Sequence, residues 1–179
     1  SGVVFNGVSS VSSADIVASN GTVHVVDAVI GLPTIATFAS SNDAFSTLVD
    51  ALAYADTGSP TIPWIATVSD SSAGPFTLFA PSNDAFIEFY NEVNVSGIYQ
   101  IVTTVIDAIL LTHVVSGNIQ SSGLPNGTVT TLGADITFSL TPSPQLTDPN
   151  ERVSNIVAVD VQAVNGVIHA IDKVILPQF

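Results

Sequence analysis

The stretch GTVHVVDAVI, residues 21–30, returns 145 residues later as GVIHAIDKVI, residues 166–175. Aligned at that interval, VSSADIVASNGTVHVVDAVI (11–30) and IVAVDVQAVNGVIHAIDKVI (156–175) agree at eight of twenty positions. The identical pairs are Asp15/Asp160, Ala18/Ala163, Asn20/Asn165, Gly21/Gly166, His24/His169, Asp27/Asp172, Val29/Val174 and Ile30/Ile175. Each copy sets Asn-Gly between β-branched runs, the short-range signal of a tight hairpin in which both turn residues take positive φ. An interval of this size matches a whole domain rather than a solenoid repeat. The repeat therefore predicts that residues 1–33 are the last strands of a preceding domain and that residues 34–179 form one complete copy.

Within that copy the helices come first. In NDAFSTLVDALAYAD (42–56), Phe45, Leu48, Val49 and Leu52 fall at helical spacing and make one apolar stripe. A Pro/Gly/Ser-rich connection (56–63) and a short segment around Trp64 lead to FTLFAP (76–81), a buried strand. SNDAFIEFYNEV (82–93) then opens a helix with Ser82 or Asn83 as N-cap and Asp84 in the first turn, where the helix dipole favours a carboxylate. Residues 98–112 read as one longer, deeply buried helix. The second half reads as strands: THVVSG (112–117), GTVTTL (127–132), ADITFSL (134–140), SNIVAVDVQAV (154–164) and GVIHAIDKVIL (166–176). TPSPQLTDPNE (141–151) is expected to be a projecting proline-rich loop. Helices followed by strands is the order of an α+β domain. The echo of ATFASSNDAF (36–45) in TLFAPSNDAF (77–86) reads as two helix starts meeting the same capping need.

Composition removes several functions. Fifteen acidic residues face only Arg152 and Lys173, for a net charge of -13, so no basic face exists to neutralise nucleic-acid phosphates. Charged residues total only 9%, which leaves Ser, Thr, Asn and Gly to cover much of the surface. The acidity reads as a source of solubility and self-repulsion. The longest apolar run, IVTTVIDAILLTHVV (101–115), is interrupted by Thr, Asp107 and His113 and falls short of a membrane span. The absence of cysteine excludes disulfides and thiolate metal sites. No nucleophile elbow, zinc-binding His-Glu-x-x-His or calcium-loop spacing occurs, so no enzyme activity, metal or cofactor is expected. A start at Ser1 with no methionine anywhere is read as numbering that begins inside a longer precursor.

FTLFAPSNDAF (76–86), LLTHVV (110–115) and NGVIHAIDKVILP (165–177), in this order, resemble the three signature blocks of the fasciclin-like domain family. TIATFASSNDAFSTLVDAL (34–52) resembles that family's first helices, and residues 1–33 resemble the end of another such domain. The resemblance implies a β-wedge or sandwich with a helical layer. It also implies a secreted or cell-surface adhesion or matrix module, used in tandem copies. The implied partners are other copies, neighbouring fasciclin-like domains, cell-surface receptors or glycans. In animal members an Asp-Ile pair before the closing block is implicated in integrin binding, and Asp15-Ile16 and Asp160-Val161 stand in that place here. Where many members carry Tyr-His in the central block, this chain has Thr112-His113.

The three histidines read as structural: His24 and His169 inside apolar strands, and His113 bonding backbone at a helix-to-strand junction. Asp172 is expected to hydrogen-bond near Asp84. The sequons at Asn20, Asn94 and Asn126 are candidate N-glycosylation sites. Two other functions stay open. One is binding of a small apolar ligand of the carotenoid type, known for some algal members, in a groove lined by Trp64, Phe76 and Phe79. The other is carbohydrate or cation binding at the acidic surface. The exposed strands of residues 3–30 are expected to pair with something, either a neighbouring molecule or a missing upstream domain.

Overall fold

The computed structural model describes residues 2–178. Ten strands and five α-helices fall into two units of unequal size.

Residues 4–26 form a three-stranded antiparallel sheet of β1 (Val4–Phe5), β2 (Ser9–Ala18) and β3 (Gly21–Val26), with β3 at its edge. The rest begins with helix α1 (Ile35–Ser40), whose N-terminus is closed by a capping box between Thr34 and Thr37. A 3-10 turn (Asp43–Phe45), α2 (Ser46–Asp56) and α3 (Trp64–Ser69) follow, then strand β4 (Phe76–Pro81) and helix α4 (Asn83–Glu92). Next come α5 (Thr103–Thr112) and the strands β5 (Val114–Ser116), β6 (Gly127–Val129), β7 (Ile136–Ser139) and β8 (Gln145–Thr147). Strands β9 (Val153–Ala163) and β10 (Gly166–Ile171) complete the chain's second hairpin.

These strands make a seven-stranded sheet in the order β5-β4-β10-β9-β8-β7-β6. Only β4 and β10 run parallel, in the register Gly166 against Phe76 through Ile171 against Pro81. Both strands are buried on both faces, which is why their sequences are continuous apolar runs rather than alternating ones. Leu78, Ala80, Ile168 and Ala170 point to the core under the helices. Phe79 and Ile171 point to a second core with Val115, Val129, Phe138 and Leu146. Residues from both ends of the sheet meet in that second core, so the sheet curls on itself, and the Leu132 amide bonds the Val114 carbonyl across the gap at 2.7 Å. This is an α+β wedge with one helical layer. Among the described residues none before position 34 belongs to either core.

Both cations of the chain clasp α4 to the sheet. Lys173 meets Glu88 and Glu92, while Arg152 joins Glu92 to the buried Asp148 and also bonds the Val174 carbonyl. The carboxylate of Glu88 holds the Lys173 ammonium above the usual lysine range.

Several expectations are corrected. Residues 98–112 do not form one helix: a 3-10 turn (Ile98–Gln100) is separated from α5 by Ile101 and Val102, both extended. Ile101 and Val102 stay extended because the Tyr54 hydroxyl takes the Ile101 carbonyl that a continuous helix would have used. The proline-rich loop contains strand β8, because Leu146 is buried and the strand bonds both β7 and β9. Of the two N-cap candidates, Ser82 caps α4 by accepting from the Ala85 amide. Asn83 instead ties the two SNDAF helix starts together, accepting from the Thr47 amide and donating to the Asp43 carbonyl. The hairpin turns are Ser19-Asn20 and Val164-Asn165 rather than Asn-Gly, since Ala18 pairs with Gly21 and Ala163 with Gly166. Neither asparagine has a positive φ.

Candidate interaction surface

The two hairpins share more than sequence. Ser9 Oγ donates to the Ala28 carbonyl as Ser154 Oγ donates to that of Lys173, at 2.7 and 3.0 Å. Asp27 Oδ1 accepts from the Ser10 amide as Asp172 Oδ1 accepts from that of Asn155, both at 2.7 Å. Asp15 and Asp160 both sit in the left-handed region, at φ 59° and 60°, which a short polar side chain tolerates. In each, the aspartate amide donates to Nδ1 of the histidine nine residues on, His24 at 3.1 Å and His169 at 3.4 Å. Residues 9–30 thus share these bonds and the whole strand register with residues 154–175.

What differs is the surroundings. His169 is fully buried, donates from Nε2 to the Ile119 carbonyl at 2.9 Å and stacks on Phe79. The His24 side chain is 49% exposed. Val174 is 1% exposed and its counterpart Val29 is 91% exposed; for Ile168 and Val23 the values are 0% and 51%. Asn165 accepts from the Ile35 amide and donates to the carbonyls of Val68 and Asp70, whereas Asn20 lies in solvent. Asp160 accepts from the amide and hydroxyl of Ser121, which hold its carboxyl below the usual carboxylate range. The Asp15 carboxylate is exposed.

The adhesion-motif candidates therefore occupy three environments. Asp15 and Ile16 are exposed on β2. Asp160 is engaged by Ser121, and Val161 packs against the helical core. His113 is 1% exposed and gives a partner no access: its Nδ1–H donates to the Ile109 carbonyl at 2.8 Å, and its Nε2 accepts from the Ile175 amide at 3.0 Å. The expected backbone role at the helix-to-strand junction is the one observed. Burial pulls the imidazole down to about 4, outweighing the Ile109 bond and the Asp148 charge that favour its protonated form. Asn20, Asn94 and Asn126 all lie exposed. Asp172 bonds the amide and side chain of Asn155 and not the Asp84 region.

Trp64, Phe76 and Phe79 do not line a ligand groove. Trp64 and Phe79 are core residues, and the space beside Trp64 and Phe76 holds only about 10 Å³, less than one water. An apolar groove of about 400 Å³ lies elsewhere, lined by Phe89, Val93, Ile101, Val102, Ile109 and Leu176. Sequence reasoning also missed the buried Asp107. Its carboxylate accepts from Trp64 Nε1 at 2.7 Å and from the amide and hydroxyl of Thr61. The one signal was an aspartate inside an apolar helix, a position that demands partners. Among the described residues no helix is long and apolar enough to cross a membrane.

Comparison with known proteins agrees with this architecture. The Fasciclin domain family model matches residues 41–177. The Synechocystis sp. protein sll1483 is 37% identical over 147 residues, which cover 80% of this chain and 73% of that relative. A second, uncharacterized Synechocystis sp. protein, sll1735, is 31% identical over 147 residues, covering 81% of this chain and 98% of its own length. Among solved structures, the FAS1 domain pair of the insect cell adhesion molecule Fasciclin I matches with a TM-score of 0.66 at 19% identity. That match covers 96% of this chain and 61% of the insect chain. With its three sequence blocks placed on β4, on the α5–β5 junction and on β10 of one curled sheet, the chain belongs to the fasciclin domain family.

Proposed function

We propose that the chain is an adhesion-type module of an extracellular or cell-surface protein and works as one link in an array of like units joined through residues 2–33. Fasciclin domains are typically extracellular or cell-surface adhesion modules, and this chain has the fold. One observation carries the finer reading. The hairpin 9–30 has the strand register and the serine, aspartate and histidine bonds of the closing hairpin 154–175, yet its outer edge and most of its apolar residues face solvent. An exposed strand edge beside exposed valines is a template for pairing with another chain or domain. The partners of this reading are neighbouring fasciclin-like domains and other copies, with receptors or glycans meeting the assembled array. The strong negative charge works against indiscriminate clustering of such edges.

Bead aggregation tests the adhesive reading. Beads coated with the chain should capture beads coated with residues 34–153, a fasciclin body without its closing hairpin, and beads coated with residues 34–179, which contain both cores, should not. Coated beads that stay as dispersed as albumin-coated ones would remove the adhesive role.

The apolar groove between Phe89 and Leu176 supports a second, narrower reading as a small-ligand site of the carotenoid type. Protein purified from its native source should then carry a visible absorbance band, and a Val102→Asp change should abolish it.

A further inference from the structure

We infer that the free edge of β3 is a receiving site for one kind of strand: a parallel strand of the β4 type, Phe-Thr-Leu-Phe-Ala-Pro, carried by a preceding fasciclin-type body that lacks its own closing hairpin. This inference rests on the reading of residues 2–33 as a link between units and specifies what that link holds.

Gly21 and Gly166 give the first ground. At Gly166, a Cβ would run into the carbonyl oxygen of Phe76 on the adjacent parallel strand, so close strand approach demands glycine there. Gly21 has nothing within 4 Å of the same position, and its φ lies outside the range that favours glycine. Among the described residues nothing accounts for the glycine; an approaching strand in the register of β4 does.

The side chains around the edge give the second ground, because each has its counterpart's partner missing. His24 Nε2 lacks the carbonyl that Ile119 supplies to His169, and its ring lacks the aromatic face that Phe79 supplies. Asp15 lacks the serine that engages Asp160. Asn20 lacks the helix-start amide and the two carbonyls that Asn165 holds together. All the missing groups belong to a fasciclin body: the counterparts of this chain's β4 strand, its first helix, the end of its third helix and the turn after β5. The site thus takes Gly21 opposite the first aromatic of the incoming strand and Val26 opposite its proline, the register of Gly166–Ile171 on Phe76–Pro81.

A second copy of this chain cannot supply that strand. Its β4 is bonded on one edge to β5 and on the other to β10, so no β4 edge is free without unfolding the donor. A closing hairpin on the same polypeptide also holds a large effective-concentration advantage over an incoming one. The occupant is therefore a body whose own hairpin is this one.

The test compares the 179-residue chain with a tandem version in which residues 34–153 are fused directly before residue 9, restoring the natural spacing of body and hairpin. Amide hydrogen exchange of Gly21–Val26 should slow by at least about a hundred-fold in the tandem version, as expected for core strands against frayed edges. Gly21→Val should leave the unfolding midpoint of the 179-residue chain unchanged and abolish that protection in the tandem version. Three outcomes overturn the inference: equally fast exchange in both proteins, a tandem version indifferent to Gly21→Val, or protection of β3 in the 179-residue chain that grows with its concentration. The last would make a second copy the occupant. Because exchange is read on the strand itself, dispersed beads alongside a protected β3 would remove the adhesive role and leave the strand assignment standing.

Discussion

Acid should weaken this domain through one side chain, His113. The ring is fully buried and neutral, donating from Nδ1 to Ile109 and accepting at Nε2 from the Ile175 amide, so a second proton would remove the acceptor that holds the segment after β10. Its folded value of about 4 lies below its value of 6.5 in the unfolded chain. Between those limits the unfolded state binds the extra proton, so stability is complete above about pH 6.5 and falls as pH drops towards 4. The loss amounts to about 2 kcal/mol by pH 5 and about 3 kcal/mol once both states are protonated. Trp64, the single tryptophan, is buried in the helical core and reports unfolding by fluorescence. Urea titrations at pH 7.5, 6.5, 5.5 and 5.0, on the wild-type chain and on His113→Gln, separate the effect of His113 from that of the carboxylates and of the other two histidines, which the two proteins share. The variant should be the less stable at pH 7.5, and the gap should narrow by about 2 kcal/mol by pH 5. In the wild-type chain the His113 ring resonances should stay in the neutral form to below pH 5. A gap that does not change with pH, or a ring that titrates near 6.5, would refute the reasoning.

Other expectations follow from the same contacts. Asp107→Ala strands the Trp64 indole N–H and the Thr61 donors, and should cost about 2–4 kcal/mol in urea unfolding with a shift in Trp64 emission. Gly166→Ala should destabilise the chain by several kcal/mol or prevent folding, since the obstacle is the backbone of Phe76, while Gly21→Ala should stay within about 0.5 kcal/mol of wild type. Asn165→Ala removes three backbone bonds in the buried junction and should cost about 2–3 kcal/mol, against no measurable change for Asn20→Ala. Arg152→Met leaves the buried Asp148 carboxylate without its cation and should lower the midpoint more than Lys173→Met, whose partner Glu88 is half-exposed; thermal unfolding compares the two.

Much of the fold was legible because it rests on local signals. FTLFAP reads as a buried strand from composition alone, and Ser82 caps α4 where Ser-Asn-Asp precedes an apolar stripe. The misread elements are those in which long-range partners override local preference. Ile101-Val102 looks continuous with a helix until Tyr54 claims the Ile101 carbonyl. Gln145–Thr147 looks like loop between prolines until β7 and β9 supply both edges of a strand. Asp107 likewise has no sequence neighbour that satisfies it; Trp64 and Thr61 arrive from more than forty residues away.

The repeat itself divides along the same line. The sequence by itself determined that residues 11–30 and 156–175 are the same hairpin, since the strand pattern and eight identical residues, Asp15, Asn20, Gly21, His24 and Asp27 with their counterparts among them, are written within twenty. Only the tertiary structure decided that one copy is core and the other surface. Burial is a property of what packs on a strand, not of the strand: β10 has β4 beside it and a helical layer above it, and β3 has neither. The same Gly, His and Asn are packing necessities in one copy and solvent-exposed in the other.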